Sequence, residues 1–350
     1  MEEKCVSEEV GSIRIPDFNE VREYVFKVYQ DRISVPKGLK RKYVAVYLSK
    51  IDRVNSYLVD RVLNNLERLT KVRIGKFYQE ILKLADINEY EQTLNALYRR
   101  MKVISRLWKV YRVGIKSSLD AKEAKKVFRE YIGRVLSIFR RSSTELDLIR
   151  NAVTILSKTP CIEDLPTIVV AGMPQTGKST FVGNVSTAKP KVSPFPFTTK
   201  DIVLGHIELD GVKVQIVDTP GILDRPINEL NPIERRAYIA IKYLANYILY
   251  FIDPLEDSYY SIESQLNLLQ MIINEFGEER ISVVINKVDS VRPERLEYVK
   301  KLVSERTKAN IYTISALKNL NTYNIIKDVV SKLRKTPHNT VSEPSFNHQS

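Results

Sequence analysis

The chain has 350 residues, 43% of them hydrophobic, and a formal net charge of +13. That length suits two or three domains with cores of their own, and no run comes near the ~18 apolar residues of a membrane-spanning helix. His206, His338 and His348 lie in unrelated contexts, the last two in a polar tail, which excludes a histidine metal centre or a catalytic triad.

Cys5 and Cys161 are equally unrelated in context, and two thiols in a reducing compartment are expected rather than a disulfide. The opening MEEKCVSEEVG is acidic and polar, unlike a signal peptide. Residues 1–160 hold 33 basic and 20 acidic side chains and the remainder 22 of each, so the whole charge excess lies in the N-terminal part. Such asymmetry points to one module for an anionic partner and another for something else.

Residues 16–158 read as four to six helices in an elongated bundle. Apolar residues recur every three or four positions, as in Leu94, Leu97, Met101, Ile104, Trp108 and Tyr111. Breaks are expected near Pro36-Lys37-Gly38, Gly75 and Ser117-Ser118, and Asp120 with Glu123 has the spacing of a capping box. From Gln92 to Leu119 there is no acidic residue, while Arg99, Lys102, Arg106, Lys109, Arg112 and Lys116 form a basic stripe suited to phosphates. A second acid-free stretch, 32–51, carries Lys37, Lys40, Arg41, Lys42 and Lys50. Trp108 is expected in the core, and the stripe is expected to lack the bulky apolar flank of a membrane-lying helix.

KTPCIEDLP, 158–166, carries the breaker residues of a linker, and the pattern then changes. TIVVAG is a short β-branched run suited to a buried parallel strand. DIVLGHIEL and VKVQIVD flank Asp210-Gly211, a hairpin signal. YILYFID, ISVVIN and NIYTIS follow, separated by helical patterns, so a mainly parallel sheet with one antiparallel hairpin strand is expected. The fold class is thus α + α/β: a helical bundle over 1–160, an α/β domain over 161–335, and a disordered tail over 336–350.

GMPQTGKS, 172–179, fits the phosphate-binding loop between a strand and a helix. Gly172, Gln175, Thr176 and Gly177 bring backbone N–H groups to a polyphosphate at a helix N-terminus, which Thr180 continues. Lys178 is placed to reach the β- and γ-phosphates, and the Ser179 hydroxyl to join a Mg²⁺ shell. Asp218, at the end of VQIV, can hold the same ion through water, and Gly221 of DTPG can offer its N–H to a γ-phosphate. FPFTTK, 195–200, supplies a threonine for Mg²⁺, Thr199 or its neighbour Thr198. Lys178, Thr199 and Gly221 are the candidate catalytic groups.

NKVD, 286–289, ends a strand with Asn286, Lys287 and Asp289, whose carboxylate can accept two N–H bonds from guanine. Adenine presents no such pair. Ser315 and Ala316, in SAL, can offer a backbone N–H to the guanine carbonyl. Together these motifs call for GTP or GDP, and they make 161–335 a Ras-like P-loop GTPase domain.

With these motifs in place, the chain resembles the Nog family, the nucleolar G proteins among the Obg-like GTPases. The likeness extends to PFTTK, Gly205-His206, the run VDTPGILDRP with Glu234 and Ala237 beyond it, LYFIDP and NKVD, and covers most of 160–335. It implies a GTPase in maturation of the large ribosomal subunit, with the helical domain against ribosomal RNA. It further implies a cytoplasmic location, or nucleolar were the source eukaryotic. DNA and membranes are not expected partners, and a monomer is expected. Potassium-activated relatives hold that cation with an asparagine in the phosphate loop; Gln175 stands in this stretch, which leaves K⁺ open.

Ile222 follows DTPG where Ras-like switches carry a water-orienting glutamine. It is expected to point away from the phosphate, with slow intrinsic turnover that a partner accelerates. The alternative function is a GTP-regulated module for membranes or proteins with the helices as effector arm.

Overall fold

The computed structural model describes residues 5–36 and 38–335, so the tail expected over 336–350 lies outside the described residues. The chain divides into two compact units: residues up to Ile74 with Ala85–Lys158, and Gly75–Leu84 with the residues from Thr159 onward.

Among the described residues eight helices precede Thr159, seven of them within 16–158, where periodicity alone gives four to six. They are α1 (Val6–Gly11), α2 (Phe18–Gln30), α3 (Lys42–Leu58), α4 (Asn64–Lys71), α5 (Lys76–Leu84), α6 (Tyr90–Ser117), α7 (Ala121–Arg141) and α8 (Ser143–Lys158). The larger number reflects short breaks: α3 runs through a π-helical turn, Val59–Leu63, directly into α4, and Ser142 alone separates α7 from α8. The Asp120 carboxylate accepts the Glu123 N–H at 2.8 Å and caps α7, while Glu123 reaches back to the Leu119 N–H at 2.6 Å.

The 28-residue α6 is the spine of this unit, packing against α3, α4, α7 and α8 through Leu94, Leu97, Met101 and Ile104. Further along α6 the apolar stripe gives way to a polar contact. Trp108 and Tyr111 are half-buried rather than core, because Asp52 of α3 accepts from Trp108 Nε1 at 2.8 Å. The same carboxylate takes Arg112 Nε at 2.9 Å and Nη2 at 3.2 Å.

In the second unit the strands are β1 (Thr167–Ala171), β2 (Lys191–Pro194), β3 (Asp201–Leu209), β4 (Val212–Asp218), β5 (Tyr247–Ile252), β6 (Ile281–Ile285) and β7 (Asn310–Thr313). They form one sheet in the order β2-β3-β4-β1-β5-β6-β7. From β4 to β7 all pairings are parallel, and β3 returns antiparallel on β4 as the Asp210-Gly211 turn dictates. The short edge strand β2 pairs antiparallel with β3, an addition that the motif pattern did not show.

The helices of this unit after α5 are α9 (Lys178–Val185), α10 (Pro232–Leu244), α11 (Ile262–Phe276), α12 (Pro293–Arg306) and α13 (Thr322–Lys335). One core lies between the sheet and α9 and α13, where Ile168, Val170, Phe181, Phe251, Ile325 and Val329 are buried together. Strands β1 and β5 are buried along their whole length, as central strands covered on both faces must be.

Helix α5 belongs to this second unit although it lies within the helical part of the sequence. It packs on α10. The Phe77 ring lies 6.3 Å from that of Phe195, at the head of FPFTTK. The buried Tyr78 hydroxyl meets the 160–162 segment, accepting the Ile162 N–H at 3.0 Å and facing the Pro160 carbonyl at 3.0 Å. One helix thus touches both the segment before β3 and the helix that follows DTPG.

Neither cysteine is a free thiol. This corrects the expectation of two free thiols.

Candidate guanine-nucleotide site

The carboxyl ends of β1, β4, β6 and β7 bring the expected motifs to one end of the sheet, as ligands of open α/β sheets require. A cavity of about 420 Å³ lies there, lined by Gln175, Gly177, Lys178, Ser179, Thr180, Asn286, Lys287, Asp289, Ser315 and Ala316. All of these were candidates from sequence. Ser290 and Leu317 also line it and were missed; nothing but adjacency to the motifs marks them.

The phosphate loop depends on its glycines. Gly172 has φ +131°, and a Cβ there would stand 2.5 Å from the Phe251 carbonyl oxygen; at Gly177, φ +94°, it would meet the Asn286 amide. Gln175 takes a left-handed conformation as well, φ 66°. Thr176 is buried and does not line the cavity, because its hydroxyl donates to the Met173 carbonyl at 2.9 Å and closes the loop. Lys178 Nζ donates to the Gly172 and Met173 carbonyls at 2.8 Å each. Burial lowers the Lys178 pKa, opposed by the charges of Asp218 and Asp224.

Ser179 Oγ donates to Asp218 Oδ2, and the other oxygen of this fully buried carboxylate, Oδ1, has no hydrogen-bond partner. Burial raises the Asp218 pKa, while the Ser179 hydrogen bond and Lys178 act against that shift. A hydroxyl beside a buried carboxylate with an orphaned oxygen fits a small divalent cation with oxygen ligands.

Thr199 is not brought to this pair: it is exposed and outside the cavity lining. Thr198 accepts the Lys200 N–H at 3.0 Å instead, so neither threonine faces the cation position in this conformation. Gly221 has φ +76°, with the Lys200 stem packed where a Cβ would stand, 2.9 Å from Cε. Its N–H, the expected γ-phosphate donor, donates to Asp224 Oδ2 at 2.9 Å. Ile222 and Leu223 are buried, at 2% and 1% exposure, and neither lines the cavity. The Leu223 carbonyl accepts the Gly172 N–H at 3.2 Å and ties this turn to the phosphate loop.

At the base end, Asn286 lines the cavity and also braces it. Its amide donates to the Thr176 carbonyl at 2.8 Å and accepts the Ala316 N–H at 2.8 Å, joining the phosphate loop to SAL, so the N–H expected to meet the guanine carbonyl is taken by Asn286 here. Hydrogen bonding from Ser315 holds the Asp289 pKa below the ordinary carboxylate range, with Ser290 and the Lys318 charge acting in the same direction. Asp289 is therefore an ionised acceptor. Lys287 Nζ is anchored by the buried Asp253 at 2.6 Å, which accounts for the aspartate in LYFIDP. Beyond DTPG, Asn231 caps α10 in a full capping box with Glu234, and Glu234 also holds Arg225 at 2.8 Å.

The candidate RNA contacts divide. Arg99, Lys102, Arg106, Lys109 and Lys116 are exposed on α6, whereas Arg112 is half-buried and paired with Asp52. Lys50 and Arg41 of the second basic stretch are also used internally, on the Tyr29 carbonyl and on the Lys116 and Ser118 carbonyls. Between the exposed cations of α6 stand Val103, Val110 and Val113, at 38%, 67% and 65% exposure, contrary to the expectation of a stripe without apolar neighbours.

A parallel sheet with a phosphate loop, a buried Ser179–Asp218 pair and an ionised Asp289 over one cavity defines a GTP-binding protein of the P-loop class. Two family descriptions match: the NOG1 N-terminal helical domain over residues 23–163, and nucleolar GTP-binding protein 1 over residues 232–289. A protein of Methanocaldococcus jannaschii is 36% identical over 265 residues, covering 75% of this chain and 74% of that one. The chain belongs to the nucleolar GTP-binding protein 1 family. The nucleolar GTP-binding protein 1 of Drosophila melanogaster is 30% identical over 75% of this chain, which spans only 41% of that relative. A crystal structure of a nucleolar GTP-binding protein 1 from Plasmodium falciparum aligns with 50% of this chain and 90% of its own, at 29% identity and a TM-score of 0.43.

Proposed function

We propose that the chain is a Mg²⁺-dependent GTPase switch that docks on the RNA of large-ribosomal-subunit precursors through the exposed cations of α6. The observation that carries this is the Asp289–Ser315–Ala316 end of the cavity joined by Asn286 to the phosphate loop. The ribosomal context is supported by the name of the Drosophila relative, nucleolar GTP-binding protein 1. Ser179 and Asp218 would hold Mg²⁺, which supplies charge neutralisation at the β- and γ-phosphates. Lys178 is placed to leave the carbonyls of its own loop for the phosphates, and Thr199 to close onto the site with its segment. Gln175 lines the cavity and is the residue through which potassium would act. A monomer in the cytoplasm completes the proposal.

The exposed valines on α6 favour a second possibility, a GTP-regulated module that lies on an anionic membrane. No helix among the described residues is long and apolar enough to cross a membrane.

Sedimentation with large-subunit precursors, against flotation with anionic liposomes, separates the two. Ribosomal docking predicts salt-sensitive co-sedimentation, with Arg106→Ala lowering the slope of log affinity against log salt by about 1 at unchanged melting temperature. Arg112→Ala is expected to lower the melting temperature of the helical unit by a few degrees, since it strips Asp52 of its ion pair. Retention on liposomes with no affinity for precursors would overturn the ribosomal assignment.

A further inference from the structure

We infer that Asp224 is the residue that discriminates GTP from GDP, by holding with its carboxylate the backbone N–H that the γ-phosphate needs. This rests on the GTP-binding site described above. Gly221 has one N–H, and Asp224 Oδ2 occupies it at 2.9 Å. The carboxylate is near enough for its charge to act on both Lys178 and Asp218.

The placement follows from the local sequence. Ile222 and Leu223 are both buried, and the Leu223 carbonyl is tied to the Gly172 N–H. The turn is therefore pinned just before the backbone that presents Asp224, and Asp224 is the first polar side chain after Gly221. On the other side of Gly221 the Lys200 stem closes the space. Gly221 is thus held between one residue of the segment before β3 and one of the turn after β4.

GDP makes no demand on this N–H. GTP brings a γ-phosphate bearing negative charge to the same donor, so it must displace a hydrogen-bonded carboxylate and repel it. Asp224 therefore weakens GTP binding and leaves GDP binding alone. Its release from Gly221 is the local event that distinguishes the two nucleotide states, a task for which the apolar Ile222 has no chemistry.

The test measures affinities of the full chain for fluorescent GDP and for a fluorescent non-hydrolysable GTP analogue, at fixed Mg²⁺, in wild type, Asp224→Asn and Asp224→Ala. Asp224→Ala removes charge and acceptor together and is expected to raise affinity for the GTP analogue about 10-fold relative to GDP. Asp224→Asn keeps an acceptor without the charge and is expected to fall between. GDP affinity should stay within about twofold, which also reports that the site is folded. An unchanged GTP-to-GDP ratio in both variants overturns the inference, as does a fall in turnover with that ratio unchanged, which would assign Asp224 to the attacking water. Wild-type protein that binds neither guanine nucleotide would overturn the inference together with the GTP site beneath it.

Discussion

Asp289→Asn is expected to lower affinity for GTP by roughly 10²–10⁴-fold, as measured by nucleotide titration. The carboxylate is the one ionised acceptor at the base end of the cavity, and Ser315 orients it. Guanine offers it two donors, the ring N–H and the exocyclic amine. An asparagine turns one oxygen into an N–H, so a donor meets a donor and a buried polar group is left without a partner. Xanthosine triphosphate carries a carbonyl where guanosine carries the amine, and the variant should bind it better than GTP. Retained GTP affinity in Asp289→Asn would show that the base does not sit at NKVD.

Asn286→Ala should damage the same end of the molecule by a different route. Its amide is nearly inaccessible and bridges the Thr176 carbonyl and the Ala316 N–H. Alanine leaves both backbone groups buried and unpaired, at about 1–3 kcal/mol each. The second unit is expected to melt roughly 5–15 °C lower, and nucleotide binding should weaken because the two halves of the site are no longer tied. Asn286→Asp keeps the acceptor for Ala316 and loses the donor to Thr176, so its effect should be the smaller. A melting temperature within about 1 °C of wild type for Asn286→Ala would contradict the bracing role.

The nucleotide motifs were legible because each couples a fixed local conformation to a fixed chemistry. Gly172 and Gly177 are needed where no side chain fits, and Asp218 ends β4 while Asp289 lies in the loop just after β6, where carboxylates can face a ligand. The alternation of strand and helix likewise gave the sheet, apart from β2, whose residues are mostly exposed and carry no alternating pattern.

What escaped the sequence depends on contacts between distant residues. The periodicity of α5 is that of any amphipathic helix, and nothing in it says that Tyr78 will bond to the 160–162 segment or Phe77 approach Phe195. The positive charges of Arg112 and Arg106 look alike one turn apart or two, yet Asp52 on another helix claims only the first. Asp253 and Asp224 each read as one more acidic residue until Lys287 and Gly221 are found against them. The two threonines of FPFTTK remain undivided, since Thr199 is exposed and Thr198 is bonded within its own turn.

The most direct measurement is GTP turnover by the purified chain at fixed Mg²⁺, in potassium and in sodium, with and without large ribosomal subunits. A GTPase switch with Ile222 turned inward predicts slow release of phosphate alone and acceleration by the subunits, up to roughly 10³–10⁵-fold if they supply a cationic group. A potassium dependence would place Gln175 on the cation. Tight GTP binding with no turnover under any of these conditions would contradict the GTPase and leave a binding-only switch.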